Sequence, residues 1–136
     1  MSYFGEPGYG ITTTLKDVSY TDAIERTTEA LAAEGFGVLT SIDIKATLRK
    51  KLDVDHRDYV ILGACSPALA HQALQAEAPI GLLLPCNVVV TEDDGGNAVV
   101  SAVDPTKMFQ VVDREDLQSI ANEVKEQLQR VISSLE

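Results

Sequence analysis

Six side chains have types that could do chemistry together: Cys65, Cys86, His71, Asn87, Asp43 and Lys45. The stretch ILGACSPALAH, residues 61 to 71, runs an apolar segment into a cysteine and then into Ser66-Pro67, a common helix start. A thiol at a helix N-terminus faces unpaired amide N–H groups and the positive end of the helix dipole, which favour a thiolate. Cys86 opens the next apolar run. If the two strands are antiparallel neighbours, the end of one lies beside the start of the other, and both thiols face one rim of the sheet. Together with His71 they form a ligand set for a soft metal. Alternatively, Cys65 is a nucleophile that Cys86 resolves by thiol–disulfide exchange. His71 follows Cys65 by six residues, more than one helical turn, so a direct pair is not given by spacing. The spacing matches no zinc pattern and lacks Cys-x-x-Cys. Two buried, inert cysteines are the plain alternative, since cysteine is among the most buried residue types.

The other candidates carry plain alternatives too. His71 serves equally as a hydrogen-bonded core histidine, and His56, in the polar DVDHRD loop, as a solvated one. Asn87 sets an amide beside an apolar strand, where it would fix a turn or line a pocket. Asp43 and Lys45 fall at a strand end, where they pair as a surface salt bridge or receive a ligand. There is no Gly-rich phosphate loop, nucleophile elbow or paired-acid motif, and no motif names a cofactor.

The elements that must position these groups are legible from periodicity. Tyr9–Leu15 alternates as a strand. Ser19, with Asp22 three residues on, resembles a capping box for a helix over about Tyr20–Glu34, which Gly35 stops. Gly37–Asp43 alternates as a strand and Ile44–Leu52 has helical composition. Arg57–Ala64 reads as a strand buried on both faces. Ser66 is expected to cap a helix over Ser66–Ala76, and Pro79 to end it or begin a further turn. Cys86–Glu92 and Ala98–Val103 are strands around the hairpin loop EDDGGN, and Pro105 opens a turn that runs to Phe109. Asp113 is expected to cap a final helix of about 22 residues, with a stripe of Leu117, Ile120, Ala121, Val124, Leu128, Val131, Ile132 and Leu135. That stripe reads as core packing, or else as a coiled-coil face. The order gives an α+β fold: a mostly antiparallel sheet, helices on one face, and a long C-terminal helix. Val89 and Val99 add apolar surface to the other face, where a homodimer could form.

The 136 residues are expected to form a single domain, 1–136, with a loose segment over 1–8. A net charge of −10 argues against nucleic acid and against anionic membranes. The basic cluster Lys45, Arg49, Lys50 and Lys51 is short. The N-terminus has no signal-peptide pattern and no apolar run could span a bilayer, so a cytoplasmic location with reduced thiols is expected.

GFGVLTSIDIKATLRKKL, ILGACSPALAHQAL, IGLLLPCNVVV and VSAVDPTKMF resemble the DUF302 family, domain of unknown function number 302, over nearly the whole chain. The resemblance implies a TATA-binding-protein-like β-α-β4-α fold, often dimeric, without DNA binding. It carries the family's cysteines onto Cys65 and Cys86, its acid and lysine onto Asp43 and Lys45, and its histidine onto His71. One family version has Asn at the place of Ser66; both residues cap helices. It implies no established activity.

Three functions follow as expectations. The first is a cytoplasmic, homo-oligomeric domain that binds or senses a small molecule or metal in a pocket at the sheet rim, through Cys65, His71, Cys86 and Asn87, with Asp43 and Lys45 nearby. The second is a thiol enzyme using Cys65 and Cys86. The third is an interaction module docking through the final helix.

Overall fold

The computed structural model describes residues 3–136. Its five strands are β1 (Gly10–Leu15), β2 (Gly37–Asp43), β3 (Tyr59–Cys65), β4 (Cys86–Glu92) and β5 (Ala98–Val103). They form one antiparallel sheet in the order β1-β5-β4-β3-β2. The helices are α1 (Tyr20–Ala33), α2 (Ile44–Leu52), α3 (Pro67–Ala76), α4 (Pro105–Met108) and α5 (Glu115–Leu135), with 3₁₀ turns at Ala78–Leu83 and Phe109–Val111. The α+β class read from the sequence holds, with α2 and α3 inserted between the strands.

Local chemistry explains the boundaries. Ser19 Oγ accepts the Asp22 N–H at 3.0 Å and starts α1. Gly35, at φ 85°, ends it, and the Phe36 N–H returns to the Leu31 carbonyl. Ala23, Thr27 and Leu31 turn toward the sheet. In α5 the expected stripe is core: Leu117, Ala121, Val124, Leu128, Val131, Ile132 and Leu135 are buried and Ile120 is half-buried. The face proposed for partner docking is thus already used within the chain.

Two caps and one turn differ from expectation. Ser66 occupies the N-cap of α3 without a side-chain cap bond. The N-cap of α5 is Arg114, not Asp113; its guanidinium binds Asp116, Glu77 and the Ala76 carbonyl, tying α5 to the end of α3. The turn expected after Pro105 is a short helix, because Asp104 accepts the Thr106 N–H at 3.0 Å.

Strand alternation separates two faces. Val60, Leu62 and Ala64 of β3, Cys86, Val88 and Val90 of β4, and Ala98, Val100 and Ala102 of β5 join the core beneath α1 and α5. Tyr59, Ile61, Asn87, Val89, Val99 and Ser101 alternate onto the other face. β3 is therefore not buried on both faces: Tyr59 and Ile61 are half-buried. Nor is Val99 free for a dimer, being 1% exposed. That end of the face is closed by the loop before β3. There Thr91 Oγ1 donates to the Asp58 carbonyl at 2.6 Å and Arg57 Nη1 to the Glu92 carbonyl at 3.0 Å.

Candidate functional site

The ladder pairs Cys86 with Ala64. Cys65, one residue on, is diagonal to Cys86, and with strands about 5 Å apart and a rise of about 3.3 Å per residue their Cα atoms are about 6 Å apart. Both residues border one apolar cavity of about 30 Å³ between the strand ends and the helices α3 and α5, walled by Phe36, Leu69, Phe109 and Val124. The two cysteines share one end of the sheet, but Cys65 follows core-facing Ala64 and so alternates toward the face opposite Cys86. Burial pushes the Cys86 thiol up to about 11, with Cys65 adding to it. Burial also raises the Cys65 thiol, so its position before a helix does not produce the depressed value a thiol nucleophile needs. A cavity of this volume holds water-sized guests, not a metabolite.

The remaining expected residues do not join this cavity. His71 is exposed. The buried residues of α3 are Leu69 and Ala73, and a residue two positions from either is about 200° around the helix from it. Asn87 follows Cys86 in the strand and therefore points to the other sheet face. Asp43 is paired with Val60, five residues from Cys65 along β3 and so about 17 Å away. Its carboxylate caps α2 by accepting the Ala46 N–H at 2.9 Å, and Lys45 pairs with Asp58 at 3.5 Å rather than with Asp43. Among the described residues no group of three or more His, Cys, Asp or Glu could hold a metal, so the set Cys65, His71 and Cys86 does not form one.

A larger concavity lies on the uncovered sheet face. It has a volume of about 420 Å³ and is lined by Tyr3, Phe4, Tyr9, Tyr59, Asn87 and Ser101, among others. The N-terminal segment forms one wall. Gly10 makes this possible: its N–H donates to the Pro7 carbonyl at 3.0 Å, and a Cβ there would stand 2.8 Å from Ser101 Oγ and 3.2 Å from Pro7 Cγ. Arg57 holds Tyr3 by stacking its guanidinium 3.7 Å from the ring centroid. On the floor, Thr12 Oγ1 and Ser101 Oγ are 2.7 Å apart. Burial raises the Tyr59 phenol, and the Tyr3 and Tyr9 phenols add to the rise. Three phenols, one phenyl ring, an amide and a hydroxyl thus meet over an apolar floor containing Val89.

The model of the DUF302 family, described as a domain of unknown function, matches residues 11–135. The chain belongs to the DUF302 family. A crystal structure titled as an uncharacterized conserved protein DUF302 from Bacillus stearothermophilus is similar at 27% identity and a TM-score of 0.88, covering 96% of this chain and 100% of that one. No curated protein matches.

At the opposite end of the sheet from the thiols, this DUF302 protein gathers Asp43, Asp58 and Glu92 near Tyr20. The Tyr20 phenol is pushed up to about 12, by burial first and then by those three carboxylates. A hydrogen bond with Asp58, then burial and the charge of Asp58, raise Glu92, while Lys45 and Arg57 act against the rise. His56, read as solvated, is part-buried, with Nδ1 2.9 Å from the Arg57 carbonyl and its ring edge-on to Tyr59. The groove residues Tyr3, Phe4, Tyr59 and Ser101 escaped the sequence reading. Their signal was the alternation of β3 and β5, which puts Tyr59 and Ser101 on the face opposite the core. Nothing local tells that residues 3–7 fold back over that face. No helix among the described residues is long and apolar enough to cross a membrane.

Proposed function

We propose that this DUF302 protein is a small-molecule-binding domain whose ligand lies in the groove on the uncovered sheet face, not in the rim cavity. The groove carries the reading: about 420 Å³ is within the range of small-molecule sites, and a mostly apolar and aromatic lining with a few polar groups is their usual chemistry. Stacking on Tyr59, Tyr9 and Phe4 favours a flat aromatic ligand. Asn87 and Ser101 supply hydrogen-bond donors and acceptors that fix its orientation. The net charge of −10 favours a neutral or cationic ligand over an anion. Free thiols fit a cytoplasmic location.

The test uses the neutral dye phenylnaphthylamine. The protein binds one equivalent with a rise in dye fluorescence, and Tyr59→Ala and Asn87→Ala each weaken binding about tenfold. Equal affinity in both variants, or no binding by the native protein, contradicts the reading.

A second reading, a homodimer, rests on the β2 edge. Leu39 and Ile42 are 67% and 47% exposed, and α2 buries no residue. An edge strand leaves one row of backbone groups unpaired, which an antiparallel second copy of β2 would satisfy. Light scattering should then give a dimer mass that Ile42→Asp halves; a monomer mass for the native protein excludes it.

A further inference from the structure

The groove on the uncovered sheet face has an aromatic lining without charge. Tyr3, Phe4, Tyr9 and Tyr59 all border it, and among the described residues that line it none is Lys, Arg, His, Asp or Glu. An aromatic ring carries negative density on its face, so a positive charge set over it is attracted, most strongly where water is partly removed. One wall already works in this way: the Arg57 guanidinium lies 3.7 Å from the centroid of the Tyr3 ring. That guanidinium is no strong barrier to a second cation, because Asp94 balances it at 2.9 Å. The whole chain carries a net charge of −10. Resting on the reading of this groove as a small-molecule site, we infer that its ligand is a planar, permanently charged aromatic cation, an N-alkylated nitrogen heterocycle.

Shape and charge select this class together. A flat ring system stacks on the tyrosine rings, and a charge spread over that ring is weakly hydrated, so little is lost on leaving water. A compact ammonium loses more hydration and has no ring to stack. An anion meets no cation in the lining and a negative chain around it. The lining also lacks a carboxylate, so a protonated amine would bring N–H donors without a charged acceptor, whereas an alkylated ring nitrogen has no N–H to satisfy. Tyr3 and Tyr9 are 42% and 69% exposed, so one side of the groove stays wet and the charge is never fully stripped of water. Burial raises the Tyr59 phenol, so at neutral pH this wall is an un-ionised ring, and the attraction comes from ring faces rather than from a phenolate.

The test is equilibrium dialysis of the full chain against 1-methylquinolinium and, separately, against 1-methylnaphthalene, which has the same shape without the charge. The native protein should bind one cation per chain, at least about tenfold more tightly than the neutral isostere. Tyr9→Leu and Tyr59→Leu keep apolar bulk and remove a ring face, and each should narrow that preference to about threefold or less. Circular dichroism checks that both remain folded; Tyr9, exposed at the groove mouth, serves alone if Tyr59→Leu does not fold. Equal binding of the two compounds overturns the inference and leaves the groove reading standing. A preference unchanged in the folded variants also overturns it, because the general acidity of the chain would then hold the cation. Binding of neither compound overturns both readings, and a dimer mass in light scattering would then put a second copy over this face.

Discussion

Asn87 is paired with Gly63 across the β3–β4 ladder, so its amide stands opposite bare backbone on the uncovered face. The glycine is needed there. A Cβ at Gly63 would stand 2.9 Å from Pro85 Cγ and would also run into Thr40 Oγ1. Gly63→Ala should therefore destabilise the fold by about 1–3 kcal/mol, the usual cost of overpacking. Urea unfolding measures it; an unchanged midpoint would show that Thr40 and Pro85 move aside freely.

Asp104 anchors the far end of β5 to α5. Its carboxylate is 3.1 Å from Lys125 Nζ and accepts from Thr106 N–H and Oγ1 at 3.0 and 2.6 Å. Burial raises this carboxyl, but the Thr106 hydrogen bonds and Lys125 outweigh burial and hold it below the usual range. Asp104→Asn should cost about 2 kcal/mol at neutral pH. Because the folded value is depressed, the stability Asp104 adds is present above the ordinary carboxylate pKa and disappears as pH falls through the lower folded value. Melting curves for both proteins should converge in acid; a constant gap would assign the loss to shape rather than charge.

Glu92 works with the opposite sign. The hydrogen bond with Asp58, burial and the Asp58 charge raise its folded pKa, so the folded state favours the protonated form. Its contribution is fully present below the ordinary glutamate pKa and is lost as pH rises through the raised value. Glu92→Gln should then be neutral to stabilising at pH 7, by up to about 0.5 kcal/mol, with the gain vanishing in acid. A destabilised variant at pH 7 would mean that attraction to Lys45 and Arg57 outweighs the Asp58 contact.

Thr27 is fully buried in α1, and its hydroxyl has no hydrogen-bond partner. Thr27→Val keeps the shape and removes the unpaired group. The variant should gain about 1 kcal/mol, a rise of roughly 3–5 °C in Tm. A lower Tm would mean that the hydroxyl finds a partner in solution.

The fold was largely legible because its signals are local. The alternation in β4 and β5, the α5 stripe, and Gly35 each report on their own segment. That Cys65 and Cys86 share one end of the sheet followed from one assumption, antiparallel neighbouring strands, and the ladder has that form. Asn87 and His71 were misplaced by angle rather than position: one residue reverses the face of a strand, and two residues reverse the face of a helix. Asp43 and Lys45 were misplaced by length, since β2 carries them to the other end of the sheet. The groove wall was hidden because the contact of Tyr3 with Arg57, far apart in sequence, leaves no periodic trace.

The most direct test of the groove is a titration of nitrogen-labelled protein with phenylnaphthylamine followed by amide chemical shifts. Binding in the groove predicts shifts concentrated at Tyr9, Tyr59, Asn87, Val89 and Ser101, with α1 and α5 unmoved. Shifts centred on the helices, or none at saturating dye, would contradict it.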